Sequence, residues 1–294
     1  KALQLRETKA MMKTNFFLSF PIHVRRLVAT RNRLAAPAGR ALSSMLLHNQ
    51  TVTLLDLTDN NLDSEAGVAI AEGLKKNETL RYLILRKNKM GTEAGQAFAS
   101  VIKRNRTIVR MDLSLNRMGP VVWWKNRFAR EFLPGAGEAI GEALRVNKHL
   151  TELDLSQNEC GPSAGDSFAE ALRYNHTLTR LDLGGNVLTA AGAKNLAFVL
   201  GLKNGLVTLN LSQNILGPQT GMVLLRAIRT MPVLTDLDIS RNEFGNLVGK
   251  SLMEAMVDNK TLISLVSQEN KFGAGVTYLL GHMLEKNDSL TSLD

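Results

Sequence analysis

The chain has 294 residues, a formal net charge of +9 and one cysteine, Cys160. A single cysteine excludes a disulfide framework and favours a reducing, cytoplasmic compartment. No apolar run reaches the roughly 18 residues that a helix needs to cross a bilayer, which argues against a membrane span.

Residues 1–23 read as an N-terminal capping segment, with Phe16, Phe17, Leu18 and Phe20 placed to cover the first repeat. From Val24 onward the chain repeats itself in the frame L-x-x-L-x-L-x-x-N-x-L. The frame reopens at Val52, Leu80, Ile108, Leu150, Leu178, Leu206, Leu234, Leu262 and Leu290. Every step is 28 residues except Ile108 to Leu150, which is 42. Self-similarity at a fixed period means stacked units that cannot bury their apolar faces singly. Residues 24–294 therefore form one solenoid of nine repeats and a truncated tenth, so the expected architecture is α/β.

Within each repeat the pattern changes period. Positions 1, 4 and 6, as in Leu150, Leu153 and Leu155, predict a short strand with one buried side. Position 9 is Asn in all nine repeats that reach it, from Asn32 to Asn270. An amide there is expected to bond backbone groups of its own turn and the next. An apolar pair four apart follows, such as Ile70 and Leu74 or Phe168 and Leu172, which marks one face of a helix. Gly67, Gly95, Gly165 and Gly221 sit three places before such pairs, where neighbouring helices must approach closely. Asn77, Asn105 and Asn175 are expected to end their helices in the left-handed conformation. Ser267 replaces a buried leucine, which predicts a weakened strand or an adjusted neighbour.

This pattern resembles the leucine-rich repeat, and its 28-residue strand-plus-helix form resembles the ribonuclease-inhibitor-like subfamily. The resemblance implies a horseshoe with a parallel sheet on the concave face and helices on the convex face. Similar proteins include immune-receptor sensor domains, Ran GTPase-activating proteins and leucine-rich subunits of cilia and the cytoskeleton. The chain ends within a strand at Asp294, so it is expected to be a segment of something longer.

The extra 14 residues of the long step are 121–134, an insertion that holds both tryptophans. On a helical wheel Val121, Trp124, Phe128 and Phe132 share one face, suited to packing on the solenoid. Trp123 falls instead between Arg127 and Arg130, and these three are the expected protein-binding knob. Charge is uneven as well. The first 51 residues carry nine Lys or Arg against one acid, hence +8 of the total +9. Arg25, Arg26, Arg31, Arg81, Tyr82, Arg86, Lys87 and Arg110 are placed to point out from the concave face near that end. The expected partner is an acidic protein surface, such as tubulin or a neighbouring subunit of an assembly. Without interleaved aromatics to stack on bases, these cations argue against nucleic acid.

Several motifs dissolve in the repeat frame. Six Asn-x-Thr/Ser triplets, among them Asn77 and Asn175, all fall at one helix-to-strand turn, so the repeat explains them without a glycan. The glycines between Gly135 and Gly141 depart from phosphate-loop spacing. The aspartates Asp56, Asp112, Asp154, Asp182 and Asp238 form a column at position 5; a cation site is one reading, but solvated or laterally paired side chains are the simpler one. The histidines lack metal-ligand spacing and no nucleophile has a base, so no catalytic, cofactor or metal residue is assigned. The expected function is a non-enzymatic scaffold in a cytoskeletal or ciliary assembly. The alternatives are a GTPase-activating protein resembling the Ran activator, or the sensor domain of a nucleotide-binding receptor.

Overall fold

Strand and helix alternate once per period, as the sequence predicts. The computed structural model describes residues 2–4, 24–119, 135–202 and 205–294. Its strands are β1 (Ala2–Gln4), β2 (Arg26–Val28), β3 (Leu54–Asp56), β4 (Tyr82–Ile84), β5 (Arg110–Asp112) and β6 (Glu152–Asp154). They continue as β7 (Arg180–Asp182), β8 (Thr208–Asn210), β9 (Asp236–Asp238), β10 (Ser264–Val266) and β11 (Ser292–Leu293). The helices are α1 (Ala35–His48), α2 (Ser64–Leu74), α3 (Thr92–Arg104), α4 (Ala136–Val146) and α5 (Pro162–Tyr174). Then follow α6 (Ala190–Leu200), α7 (Gly217–Ile228), α8 (Gly245–Asp258) and α9 (Gly275–Lys286).

All eleven strands form one parallel sheet in chain order. From β2 onward the core-facing leucine or methionine of each strand lies opposite that of the next, as Leu27 opposite Leu55 and Leu83 opposite Met111. Strands lie about 4.8 Å apart whereas packed helices need about 8–10 Å, so the stack curves with the sheet inside. The core fills the space between the layers, and Leu55, Leu83, Phe98 and Phe168 are completely buried in it. Helix approach is tight where the glycines predict it: a Cβ on Gly95 would strike the Ala136 Cβ, and one on Gly165 would strike the Gly192 carbonyl oxygen. Strand β1 was not visible in the repeat pattern. It pairs in parallel with β2, Ala2 opposite Arg26, a spacing of 24 rather than 28. The four phenylalanine and leucine residues assigned to the cap lie outside the described residues.

The position-9 asparagines tie successive repeats together. Asn88 Nδ2 donates to the Leu57 carbonyl of the preceding repeat (3.1 Å) and to its own Leu85 (2.9 Å). Its Oδ1 accepts the N–H groups of Asn60 and Leu62, both at 3.0 Å. The partner repeat is thus the preceding one, not the following one. The residue just before each of these asparagines has a positive φ, glycine or not: Asp59, Lys87, Leu115, Gln157, Gly185 and their equivalents.

The helix-ending asparagines differ from expectation. Asn105 and Asn175 have extended backbones, with φ of −72° and −97°, rather than left-handed ones. Their value lies in the side chain. Asn105 Oδ1 accepts from Thr107 and Ile108, and its Nδ2 donates to the Leu74 and Asn77 carbonyls one repeat back. These amides are buried and engaged, which agrees with a structural origin for the six triplets. Ser267 causes no break. It is buried, its N–H donates to the Asp294 carbonyl at 2.6 Å, and β10 stays in register with both neighbours.

The aspartate column also works within the fold. Asp154 Oδ1 accepts the Ser156 N–H (2.9 Å) and hydroxyl (2.7 Å), and Asp56, Asp112 and Asp238 repeat the arrangement. Each carboxylate thereby closes the turn that follows its strand. Crowding has an electrostatic consequence. Burial, then the neighbouring Asp154 charge, pushes the Asp182 carboxyl up to about 6, against bonds from the Gly184 N–H and Asn210. Asp154 is raised in the same way, by burial first and Asp112 second. Cys160 is fully enclosed, and burial, with the Glu138 charge behind it, pushes its thiol up to about 12, which leaves no reactive thiolate.

Two outcomes follow for stability. Asn88→Ala leaves the Asn60 and Leu62 N–H groups without partners, while the Leu57 and Leu85 carbonyls keep the Asn60 and Asn116 amides, so it should cost about 2–4 kcal/mol in urea-unfolding experiments. Asp182 behaves differently with pH. Its folded value lies above the unfolded one, so the stability it contributes is greatest in acid and is lost as pH rises from about 4 to about 6. Asp182→Asn keeps the acceptor for Gly184 and should raise Tm at pH 7.5, by roughly 2 °C if the gain is about 1 kcal/mol. Below about pH 4 thermal melts of the two proteins should coincide.

Candidate functional site

Alternation along each strand sends positions 4 and 6 into the core and positions 3 and 5 onto the open sheet face. Parallel register then stacks position 3 of successive repeats into a row: Arg26 beside Leu54, Leu54 beside Tyr82, Tyr82 beside Arg110, Arg110 beside Glu152. At the N-terminal end this row therefore reads as two arginines flanking a leucine and a tyrosine. Tyr82 is 41% exposed, and Arg25, Arg26, Arg81 and Arg110 are exposed around it. Neighbouring strands being about 4.8 Å apart, these side chains form one continuous patch.

The predicted cations separate by what they already hold. Arg31 and Lys87 converge on Asp59, at 3.8 and 3.0 Å. Arg110 pairs with Glu152 at 3.5 Å. Arg86 donates to Ser114 Oγ (2.9 Å), and its charge opposes the rise of the Asp154 carboxyl. Among the described residues, Arg25, Arg26 and Arg81 have no carboxylate within 4.0 Å. Trp123, Arg127 and Arg130 lie outside the described residues. The base of their insertion is described. The Ala136 N–H donates to the Met118 carbonyl (3.4 Å), Thr92 Oγ1 donates to the Gly119 carbonyl, and β5 meets β6 in unbroken register across the 42-residue step. The insertion thus leaves and rejoins the stack at one point.

Beyond β5 the concave face changes sign. A groove of about 300 Å³ is lined by Glu152, Asp154, Asp182, Asp236 and Asp238, with Arg110 and Arg180 among them. The acidic middle was readable from the position-3 and position-5 rows taken together, because Glu152 and Asp236 join the aspartate column only across strands. Among the described residues no group of three or more His, Cys, Asp or Glu side chains gathers to hold a metal ion. No described helix is long and apolar enough to cross a membrane.

A family model described as "Leucine Rich repeat" matches residues 48–71, 76–99, 146–169 and 174–197. No curated protein matches the chain. Among solved structures, the tropomodulin C-terminal domain of Caenorhabditis elegans aligns at 20% identity and a TM-score of 0.44, covering 51% of this chain and 92% of that one. The actin-binding site 2 of leiomodin-1 aligns at 15% identity and a TM-score of 0.38, covering 64% and 86%. Four matches to the repeat model fall in step with the observed strands and helices, and the 28-residue frame continues on both sides of them. The chain is a leucine-rich repeat protein.

Proposed function

We propose that the chain is a non-enzymatic protein-interaction scaffold, and that the basic end of its concave face holds an acidic protein surface. One observation carries this reading: Arg25, Arg26 and Arg81 stand exposed beside Tyr82 with no ion pair among the described residues, while neighbouring cations are neutralised. Arginine's planar guanidinium is preorganised for paired hydrogen bonds, and arginine and tyrosine dominate interface hot spots. A sheet set rigidly by its core presents them preorganised, which lowers the cost of association. Trp123, Arg127 and Arg130 on the insertion are the proposed second contact.

The partner we infer is an acid-rich filament surface, tubulin in the first instance, within a cytoskeletal or ciliary assembly. Support for it is the charge asymmetry, +8 in the first 51 residues. The 28-residue strand-plus-helix unit supports placing the chain in the ribonuclease-inhibitor-like subfamily. Wild-type chain should co-sediment with stabilised microtubules in low salt and be released as ionic strength rises. Arg25→Glu/Arg26→Glu/Arg81→Glu should weaken binding at least tenfold with an unchanged melting curve. Equal sedimentation of the two proteins would remove the basic end from the interface, and no sedimentation of the wild type would remove the filament.

A further inference from the structure

The helix-ending asparagine is missing from one repeat and shifted by one place in the repeat before it. Met231 stands where Asn105, Asn147, Asn175 and Asn259 stand elsewhere, and Lys203, followed by Asn204, stands there in the preceding repeat. In the intact repeats its Nδ2 donates to the last carbonyls of the preceding helix, as Asn175 does to Leu144 (2.7 Å) and Asn259 to Ile228 (2.7 Å). Met231 has no N–H on its side chain and turns inward instead, 3% exposed. The side chain at 231 therefore offers no amide to the end of α6.

Between α6 and α7 lies a surface groove of about 400 Å³. Lys194, Phe198 and Leu202 follow one another at four-residue steps along one wall, and Val223, Arg226 and Thr230 form the other. Phe198 is 57% exposed and Leu202 41%, so the wall they form is apolar and open to solvent. The rim carries Lys194 and Arg226, both exposed and neither ion-paired among the described residues, and no carboxylate lines the groove. Asn195, also on the rim, has its amide turned to Asp166 (2.9 Å).

We propose that this groove is a docking site for an amphipathic helix of a partner protein, apolar on one face and acidic along its margins. An apolar cleft between two helices accepts the i, i+3, i+4 and i+7 anchors of a third. Charge complementarity chooses the margins: Lys194 stands on one wall and Arg226 on the other, so carboxylates on the two sides of the guest helix meet one cation each, and lysines there are repelled. This surface is on the opposite face from the basic patch. One protein could therefore hold two partners at once.

The test uses an 18-residue fluorescein-labelled peptide with leucines at i, i+3, i+4 and i+7 and glutamates elsewhere, beside a counterpart with lysines for the glutamates. Anisotropy titration should show saturable binding of the acidic peptide alone. Lys194→Glu/Arg226→Glu and Phe198→Ser, all at exposed positions that leave the melt unchanged, should each weaken it at least tenfold. Arg25→Glu/Arg81→Glu should not. The proposal is overturned if no saturable binding occurs, if the lysine peptide binds as tightly, or if only the Arg25/Arg81 variant matters. It is equally overturned if sedimentation shows the chain pairing with itself through Phe198, since a second copy then covers the groove.

Discussion

The structure depends on a buried side-chain amide repeated once per turn of the solenoid. Asparagine at position 9 has two donors and an acceptor on a short stem, and it satisfies backbone groups of two repeats together. Without it, the turn after each strand would bury N–H and C=O groups in a layer where no strand or helix can pair them. The same turn requires a left-handed residue immediately before the asparagine, and lysine, leucine and glutamine accept that conformation there. Such backbone conformations cost about 1 kcal/mol or more each and persist only where surroundings over-determine them. The amide ladder is what over-determines them.

Because the ladder and core fix backbone and register, they leave position 3 unconstrained, while the aspartates at position 5 also close their turns. The two rows together carry a charge gradient along the sheet. Arginines and a tyrosine gather on β2, β4 and β5, and acids from β6 to β9. The acidic part is held close to its limit. Asp182 is raised by burial first and by the Asp154 charge second, and the same column holds a neutral amide, Asn210, whose Nδ2 donates to Asp182 (3.1 Å). One amide among the carboxylates relieves repulsion while keeping the turn bond, here to Ser212.

Legibility in the sequence followed period. Repeat number, strand leucines, buried asparagines and close-packed glycines were all readable, because each is imposed at the same place in every repeat. What was misread belonged to chemistry with more than one solution. Asparagine at a helix end fits a left-handed cap, but here its backbone is extended and its amide does the work. The seven cations looked alike in sequence. Only packing shows that Asp59 draws in Arg31 and Lys87 while Arg25, Arg26 and Arg81 stand apart, since Asp59 and Lys87 are neighbours only across strands. Strand β1 escaped because its spacing from β2 is 24 and not 28.

Departures from the frame are where a repeat protein becomes particular. Residues 121–134 add length at a turn, and since the chain rejoins at the Met118–Ala136 bond, the addition leaves register intact. Met231 subtracts a helix-end amide without changing length, and no strand is broken by it: β8 and β9 remain paired, Leu209 opposite Leu237. In a stack whose units contact only their neighbours, such a loss stays local. Backbone order is carried by the position-9 ladder, which is complete in both repeats at Asn186 and Asn214. The helix-end amides adjust the convex layer only. Two separate ties, one for each face, let the helical side vary while the sheet keeps its register.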